Sequence, residues 1–137
     1  MIYTAKIDYD NLEMTIEDIL ARAKQICTVY RVPFTNMEVK KTKRGRHVYM
    51  DLYNPETIVR DEDIVLIQLL MGSDVQREIF NTERVKQKTT PYWNVLFKSK
   101  YKAGIKKSWE VAEASFTIKY DKNEQIMTIR ERIIKEK

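Results

Sequence analysis

The hydrophobic period of the chain changes within its first thirty residues, and this change constrains the fold more than any other feature. In residues 2–9 (IYTAKIDY) apolar and polar side chains alternate, which is the period of a β-strand with one covered face. In residues 15–30 the apolar side chains instead recur every three or four positions, which is the period of an amphipathic helix. Thr15 and Asp18 have the spacing of a capping box at its start. The chain therefore opens with a strand followed by a helix.

Further strands and helices follow in the order of a known arrangement. Residues 34–40 and 46–53 predict a β-hairpin around a basic turn that contains Gly45. Residues 54–87 predict two consecutive helices, bent at Gly72, with Ser73 as the N-cap of the second. The stretch YWNVLFKSKY predicts a fourth strand.

The order βαββαβ over residues 2–100 is that of ferredoxin-like and RNA-recognition-motif (RRM-like) domains. We therefore expect an α+β fold with the first and third strands side by side at the sheet centre and helices on one face. A short helix near residues 105–112 and a terminal hairpin, ASFTIKY with QIMTIRERII, predict a C-terminal α-β-hairpin extension over about 101–137. At 137 residues the chain suits one domain, 1–137.

Composition excludes several classes of protein. Hydrophobic residues make up 43% and charged residues 33%, with three Gly and three Pro, as in a folded globular chain. The longest apolar run, Ile64–Met71, is far shorter than the roughly 20 residues that cross a bilayer. We expect no membrane partner and a cytoplasmic location, in the host cell if the protein is viral. The single Cys27 excludes an internal disulfide and multi-cysteine metal sites, and we expect it to be buried.

The charge favours an anionic partner. The net charge is +5, from 25 Lys and Arg against 20 Asp and Glu, and much of the positive charge lies in residues 39–46 and 98–107. We expect nucleic acid, DNA or RNA, to be the partner. Exposed tyrosines such as Tyr49 and Tyr53 can stack on single-stranded bases. The predicted nucleic-acid contacts are Lys40, Lys41, Lys43, Arg44, Arg46, Tyr49, Lys98 and Lys100.

Strand register brings a second set of polar residues together. If residues 2–9 pair with residues 46–53, one face of the sheet collects the polar side chains of both strands. Carboxylates two residues apart on a strand point the same way and can supply the hard oxygen ligands that Mg²⁺ or Mn²⁺ requires. The predicted set is Thr4, Lys6, Asp8, Asp10, His47, Tyr49 and Asp51. Asp8 and Asp10 are the candidate metal ligands, and the only histidine, His47, is the candidate catalytic residue beside phosphate.

Two stretches of this sequence resemble known proteins. KIDYDN followed by KTKRGRHVYMDL resembles the first two signatures of archaeo-eukaryotic primase-polymerases. That resemblance implies metal ligation by Asp8 and Asp10 and a nucleotide-phosphate contact by His47. Two features depart from the family: Gly45 replaces a small polar residue, and Asp121 is the best stand-in for a third carboxylate.

The stretch LMGSDVQREIFNTERV with the later WNVLF resembles small uncharacterised proteins of archaeal viruses and plasmids, of the hyperthermophilic spherical-virus type. The resemblance implies an origin in a mobile element of archaea. It does not bring an activity with it.

Three functions stay open at this point. The first is a viral or mobile-element nucleic-acid-binding protein, as a minimal or degenerate relative of primase-polymerases. The second is a divalent-metal-dependent nucleotidyltransferase or nuclease that uses Asp8 and Asp10. The third is a virion or assembly protein that acts through a homodimer interface. Simpler interpretations accompany them: Asp8 and Asp10 as a polar strand end, a solvated basic turn, and Arg77 and Arg84 paired with Glu78 and Glu83 rather than with phosphates.

Overall fold

The computed structural model describes most of the chain. The described residues are 2–30, 34–53, 60–88, 93–94, 99–102, 105–108, 110–120 and 126–134. For residues 2, 34, 99–102, 105–108, 120 and 126–129 only the backbone is described. Within these ranges the fold is α+β, with three helices and a five-stranded antiparallel sheet, so the predicted class is confirmed.

Seven strands and three helices follow one another along the described residues. Their bounds are β1 (Ile2–Tyr9), α1 (Ile16–Tyr30), β2 (Phe34–Lys41), β3 (Arg46–Tyr53), α2 (Asp61–Leu70), α3 (Val75–Gln87), β4 (Ser99–Lys102), β5 (Ile105–Ser108), β6 (Val111–Tyr120) and β7 (Ile126–Ile133).

The main sheet has the strand order β1-β3-β2-β6-β7, and β4 and β5 form a separate two-stranded sheet. The predicted adjacency of β1 and β3 is confirmed. The ferredoxin-like order is not confirmed, because β1 lies at an edge of the described sheet and β2 lies at its centre. The predicted C-terminal hairpin, β6 with β7, joins the sheet beside β2.

Two predictions around residues 92–112 have different outcomes. The helix near residues 105–112 is wrong, because residues 105–108 pair with residues 99–102 and β6 begins at Val111. A helix this short is marginal by itself, whereas the hairpin satisfies its backbone groups. Most of the predicted fourth strand falls on residues 91–92 and 95–98, outside the described residues.

The starts of α1 and α3 are set by short polar side chains. At α1 the predicted capping box is confirmed, since Thr15 Oγ1 accepts from the Asp18 N–H at 3.1 Å and Asp18 Oδ2 accepts from the Thr15 N–H at 3.2 Å. The predicted bend is present at Gly72, whose φ is 92°. The N-cap of α3 is Asp74 rather than Ser73. The Ser73 hydroxyl is used elsewhere, as described below.

The core lies between one face of the sheet and helices α1 and α2. Inward-facing side chains alternate along β1, β2, β3 and β6, as the sequence predicts for β1 and β3. Cys27 is 1% exposed, as expected, and burial raises the pKa of its thiol to about 12. None of the described helices is long and apolar enough to cross a membrane.

Side chains from α2 and α3 occupy the outer edge of β1. The Lys6 N–H donates to Gln68 Oε1 at 3.0 Å, and the Lys6 carbonyl accepts from Arg77 Nη1 at 2.7 Å. The Asp8 N–H donates to Ser73 Oγ at 3.0 Å. Backbone N–H and C=O groups that are left unpaired at a sheet edge can pair with another strand. At Lys6 and Asp8 these bonds leave no room for a further strand, which explains why β1 is an edge here.

A buried carboxylate holds this edge together. Glu78 is 0% exposed and accepts four hydrogen bonds. Its donors are Gln68 Nε2 at 2.6 Å, Ser73 Oγ at 2.7 Å, Arg77 Nη1 at 2.6 Å and Asn81 Nδ2 at 2.9 Å. The predicted ion pair of Arg77 with Glu78 is thereby confirmed. A buried charge needs such complete satisfaction to be tolerated.

We expect Glu78→Gln to lower the free energy of unfolding by about 3–5 kcal/mol, because it removes the buried Arg77–Glu78 ion pair and turns an amide N–H₂ towards other donors. Glu83→Gln, on the exposed side of the same helix, is the matched control and should change it by less than about 0.5 kcal/mol. Urea unfolding measures both variants. Equal effects of the two substitutions would show that the Glu78 network does not hold the edge.

Candidate functional site

The face of the sheet opposite the helices is called the open face here, and it carries mainly polar side chains. Opposed residues on paired strands point to the same side, so the strand register defines its members. They are Thr4, Lys6 and Asp8 of β1; His47, Tyr49, Asp51 and Tyr53 of β3; Asn36, Glu38 and Lys40 of β2; Ala112, Ser115, Thr117 and Lys119 of β6; and Arg130 and Arg132 of β7.

The predicted register of β1 and β3 is confirmed. Asp8 lies opposite His47, Lys6 opposite Tyr49, and Thr4 opposite Asp51. The last pair is joined directly, because Thr4 Oγ1 donates to Asp51 Oδ1 at 2.7 Å.

His47 lies between two carboxylates. Its side chain is 7% exposed, its Nδ1 lies 2.7 Å from Glu110 Oε1, and its Nε2 lies 3.4 Å from Asp8 Oδ1. The Tyr49 hydroxyl donates to the same Glu110 oxygen. Lys40 Nζ lies 3.7 Å from the other oxygen of Glu110. These five residues form the histidine cluster, whose central carboxylate is 4% exposed.

The partners of this cluster shift its pKa values in opposite directions. Burial acts to lower the pKa of His47, but the hydrogen bonds and negative charges of Asp8 and Glu110 outweigh it, and the pKa is raised. Burial acts to raise the pKa of Glu110, but its bonds to Tyr49 and His47 outweigh it, and the pKa is lowered. Burial and the bond to Glu110 raise the pKa of Tyr49. The cluster therefore favours an imidazolium–carboxylate pair.

A β-bulge puts Glu110 into this position. Val39 lies opposite Ala114 but Lys40 lies opposite Ala112, so Glu113 is the extra residue of β6. The Glu113 carboxylate instead accepts from Arg46 Nε at 2.7 Å. Sequence reasoning missed Glu110. The one available signal was the pair of acids three apart in WEVAEAS, a spacing that breaks strand alternation.

Asp10 does not join the cluster. β1 ends at Tyr9, and Asp10 is exposed in the following bend, where its Oδ1 accepts from Asn11 Nδ2 at 3.4 Å. Asp8 and Glu110 bond opposite nitrogens of the His47 ring, so they do not converge on one point. Among the described residues no group of three or more His, Cys, Asp or Glu side chains is placed to hold a metal ion.

The predicted basic contacts divide between the two faces. Lys40 lies on the open face, and Lys43 and Arg44 are exposed in the turn. Lys41 and Arg46 lie opposite one another on the other side of the sheet. Lys98 lies outside the described residues, and Lys100 is in β4 with only its backbone described.

Arg46 makes two hydrogen bonds within the protein. Besides Glu113, its guanidinium donates to the Met14 carbonyl at 2.7 Å. The turn itself is pressed against β1, because a Cβ at Gly45 would lie 1.9 Å from the Tyr9 carbonyl oxygen. Only glycine fits at this close approach, which fixes the exposed charges of Lys43 and Arg44 at the end of β1.

The two tyrosines on the open face differ in how much of the ring is accessible for stacking. Lys40 Nζ lies 5.3 Å from the centre of the Tyr49 ring, a cation–π contact that covers one ring face. The hydroxyl of Tyr49 is bonded to Glu110. Tyr53 is 39% exposed and presents more of its ring for stacking.

The half of the open face made by β6 and β7 is positively charged. Lys119, Arg130 and Arg132 lie there with the hydroxyls of Ser115 and Thr117, and among the described side chains of these two strands no carboxylate points to this face. Sequence reasoning assigned no binding residue here. The signal was present in the alternation TIRERI, which puts both arginines on one side of a strand.

Comparison of the chain with protein-family models, with curated proteins and with solved structures finds no match.

The histidine cluster predicts a specific dependence of stability on pH. Because folding raises the pKa of His47, its contribution is complete below about pH 6.5 and is lost as the pH rises through the folded value. Because folding lowers the pKa of Glu110, its contribution is complete above about pH 4.5 and is lost on acidification. Urea unfolding from pH 4 to 9 should therefore show a loss of stability on the alkaline side.

The alkaline loss should disappear in His47→Gln and shrink in Asp8→Asn, which removes one of the two carboxylates that raise the pKa. Asp10→Asn is the control and should keep the wild-type profile. If His47→Gln left the pH profile of stability unchanged, the proposed contribution of the histidine cluster would be wrong.

Proposed function

We propose that this chain binds nucleic acid across the β2-β6-β7 half of its open face, as a protein of a virus or another mobile element. The observation that carries the proposal is the alignment of Lys119, Arg130 and Arg132 on one side of the C-terminal hairpin. Phosphate contacts supply most of the affinity in sequence-independent binding, and arginine is well suited to make them.

The surroundings of these cations support a nucleic-acid backbone as the ligand. Arg130 and Arg132 are two residues apart on a strand, so their Cα atoms are separated by roughly 7 Å. Ser115, directly opposite Arg132 on β6, adds a hydroxyl group that can donate to a phosphate oxygen, whereas the hydroxyl of Thr117 donates to Asn36 Oδ1 at 3.0 Å. Tyr53 on the same face offers a ring for base stacking.

Charge on the rest of the face favours this half over the β1-β3 half. Asp8 and Asp51 lie on the β1-β3 half, where their carboxylates repel phosphate. Lys40, which sequence reasoning assigned to nucleic acid, lies on β2 within the proposed half, 3.7 Å from Glu110 and 4.0 Å from Glu38. The exposed turn cations Lys43 and Arg44 stay available as an additional contact at the end of the sheet.

The test is the salt dependence of oligonucleotide binding. Arg130→Ala/Arg132→Ala removes two phosphate contacts, so we expect weaker binding to single-stranded DNA or RNA and a slope of log affinity against log salt that is smaller in magnitude by about two. Fluorescence anisotropy with labelled oligonucleotides at several salt concentrations measures both quantities.

The matched control is Lys24→Ala/Lys86→Ala, which removes the same charge from α1 and α3. It should leave the slope within about 0.5 of the wild type, since these side chains do not lie on the open face. If both double variants lost the same affinity and the same salt slope, the effect would depend on net charge alone, and the proposed surface would be wrong.

A metal-dependent nucleotidyltransferase or nuclease is the second proposal, and the observation that favours it is the 3.4 Å contact of Asp8 with His47. It would make Asp8 and Asp10 ligands of Mg²⁺ or Mn²⁺, with His47 on phosphate, as the primase-polymerase resemblance implies. The carboxylate and imidazole donors suit such an ion, but each ring nitrogen of His47 already has a carboxylate partner. Binding would require one of these bonds to be exchanged.

Asp8→Ala separates the two proposals. A metal-dependent enzyme should lose Mn²⁺ binding and strand synthesis or cleavage, both measurable by calorimetry and gel assay. A protein that only binds nucleic acid should keep its affinity or gain some, because a negative charge leaves the open face. Loss of oligonucleotide affinity in Asp8→Ala without added metal would contradict both.

The more specific predictions about fold type, location and assembly stay proposals. A ferredoxin-like or RRM-like ancestry is supported by the neighbouring β1, β3 and β2 with helices over one face. A cytoplasmic location and a role in virion assembly through a homodimer stay predictions, and light scattering would measure the oligomeric state.

A further inference from the structure

A cavity of about 250 Å³ lies on the open face beside the β-bulge in β6, between β2 and β7. Its lining includes Lys40 on β2, Ala112, Ala114 and Ser115 on β6, and Arg132 on β7. Small-molecule sites usually enclose roughly 300–1,000 Å³. The cavity therefore suits a single small group rather than a whole nucleotide.

The shape of the cavity follows from the sequence of β6. The register shift makes Glu113 the extra residue and turns its carboxylate away to Arg46. Ala112, the open-face residue next to it, has no side chain beyond Cβ to fill the space. The Glu113 carbonyl accepts from the Ile134 N–H at 2.7 Å, which ties β7 to the bulge.

Two cations stand on opposite sides of this space. Arg132 is an exposed guanidinium on β7, and the Ser115 hydroxyl lies directly across the strand pair from it. Lys40 is held in place by Glu110 at 3.7 Å and by the Tyr49 ring at 5.3 Å. Among the described lining residues the one carboxylate is that of Glu38, whose side chain is 62% exposed.

We propose that this cavity is a phosphate-binding site in which Arg132 and Lys40 hold one phosphate group from two sides and Ser115 donates a hydrogen bond. The identification of that group as a backbone phosphodiester rests on the proposed function; free phosphate has the same chemistry. Glu110 of the histidine cluster positions Lys40 and thereby supports the phosphate site.

The experiment compares two arginines that differ in position and not in charge. Arg132 lines the cavity, whereas Arg130, on the same face of the same strand, does not. We expect Arg132→Ala to weaken oligonucleotide binding by about tenfold and Arg130→Ala by about two- to threefold, because only the first removes a paired contact with a fixed geometry. Glu38→Gln should strengthen binding, because it removes the repelling carboxylate. Thermal unfolding checks that all three variants are folded.

A second arm uses inorganic phosphate as the probe. In ¹⁵N spectra of the protein, phosphate should shift the amides of Ala112 and Ser115 in the wild type and in Arg130→Ala, but not in Arg132→Ala. This arm does not require that the protein bind nucleic acid.

The two arms separate the failure of the site from the failure of the proposed function. Equal effects of Arg132→Ala and Arg130→Ala on oligonucleotide binding, with no amide shifts by phosphate, would overturn the cavity and leave nucleic-acid binding intact. Phosphate shifts at Ala112 without any oligonucleotide binding would support a site for free phosphate and overturn the proposed function. No response in either arm overturns both.

Discussion

The buried carboxylate of Glu78 is the interaction on which the rest of this structure depends. It gathers donors from the end of α2, from the turn and from α3, and the same side chains then bond the outer edge of β1. Because the outer edge is occupied at Lys6 and Asp8, β1 has a neighbouring strand on its other side alone in the described sheet. The pairing partner is β3, and its register places Asp8 beside His47.

Two polar clusters therefore lie beside β1, and in each of them the central carboxylate is satisfied by hydrogen bonds. The Glu78 network satisfies one carboxylate beside the sheet, and the histidine cluster satisfies another, Glu110, on the open face. Buried charges of this kind cost several kcal/mol unless their partners are complete. Among the described side chains, the exposed cations of the open face lie on β6 and β7. Lys40 connects the structural and the binding roles, because it is held by Glu110 of the histidine cluster and lines the proposed phosphate site.

Local periodicity was enough to predict part of this fold. The alternation in β1 and β3, the capping box of Thr15 and Asp18, and the hairpin of β2 and β3 each depend on residues a few positions apart. The same local rules predicted the adjacency of Asp8 and His47, because register follows from which face is apolar.

The features that sequence reasoning missed depend on contacts between distant residues. Glu110 meets His47 across 63 residues, and only a bulge, which alternation does not reveal, brings it to that face. Ser73 has the composition of an N-cap, but its hydroxyl bonds Asp8 and Glu78, so Asp74 caps α3. The pairing of β5 with β4, in place of the expected helix, likewise depends on a partner strand. Tertiary bonds overrode local preference in each case.

The most direct test of the account is a crystal structure of the chain with a short single-stranded oligonucleotide. The account predicts a sugar-phosphate backbone that crosses β6 and β7 on the open face, with phosphates at Arg132 and Arg130 and the Asp8–His47–Glu110 contacts unchanged. An oligonucleotide bound to the helices, or one that displaces Asp8 or Glu110 from His47, would contradict it.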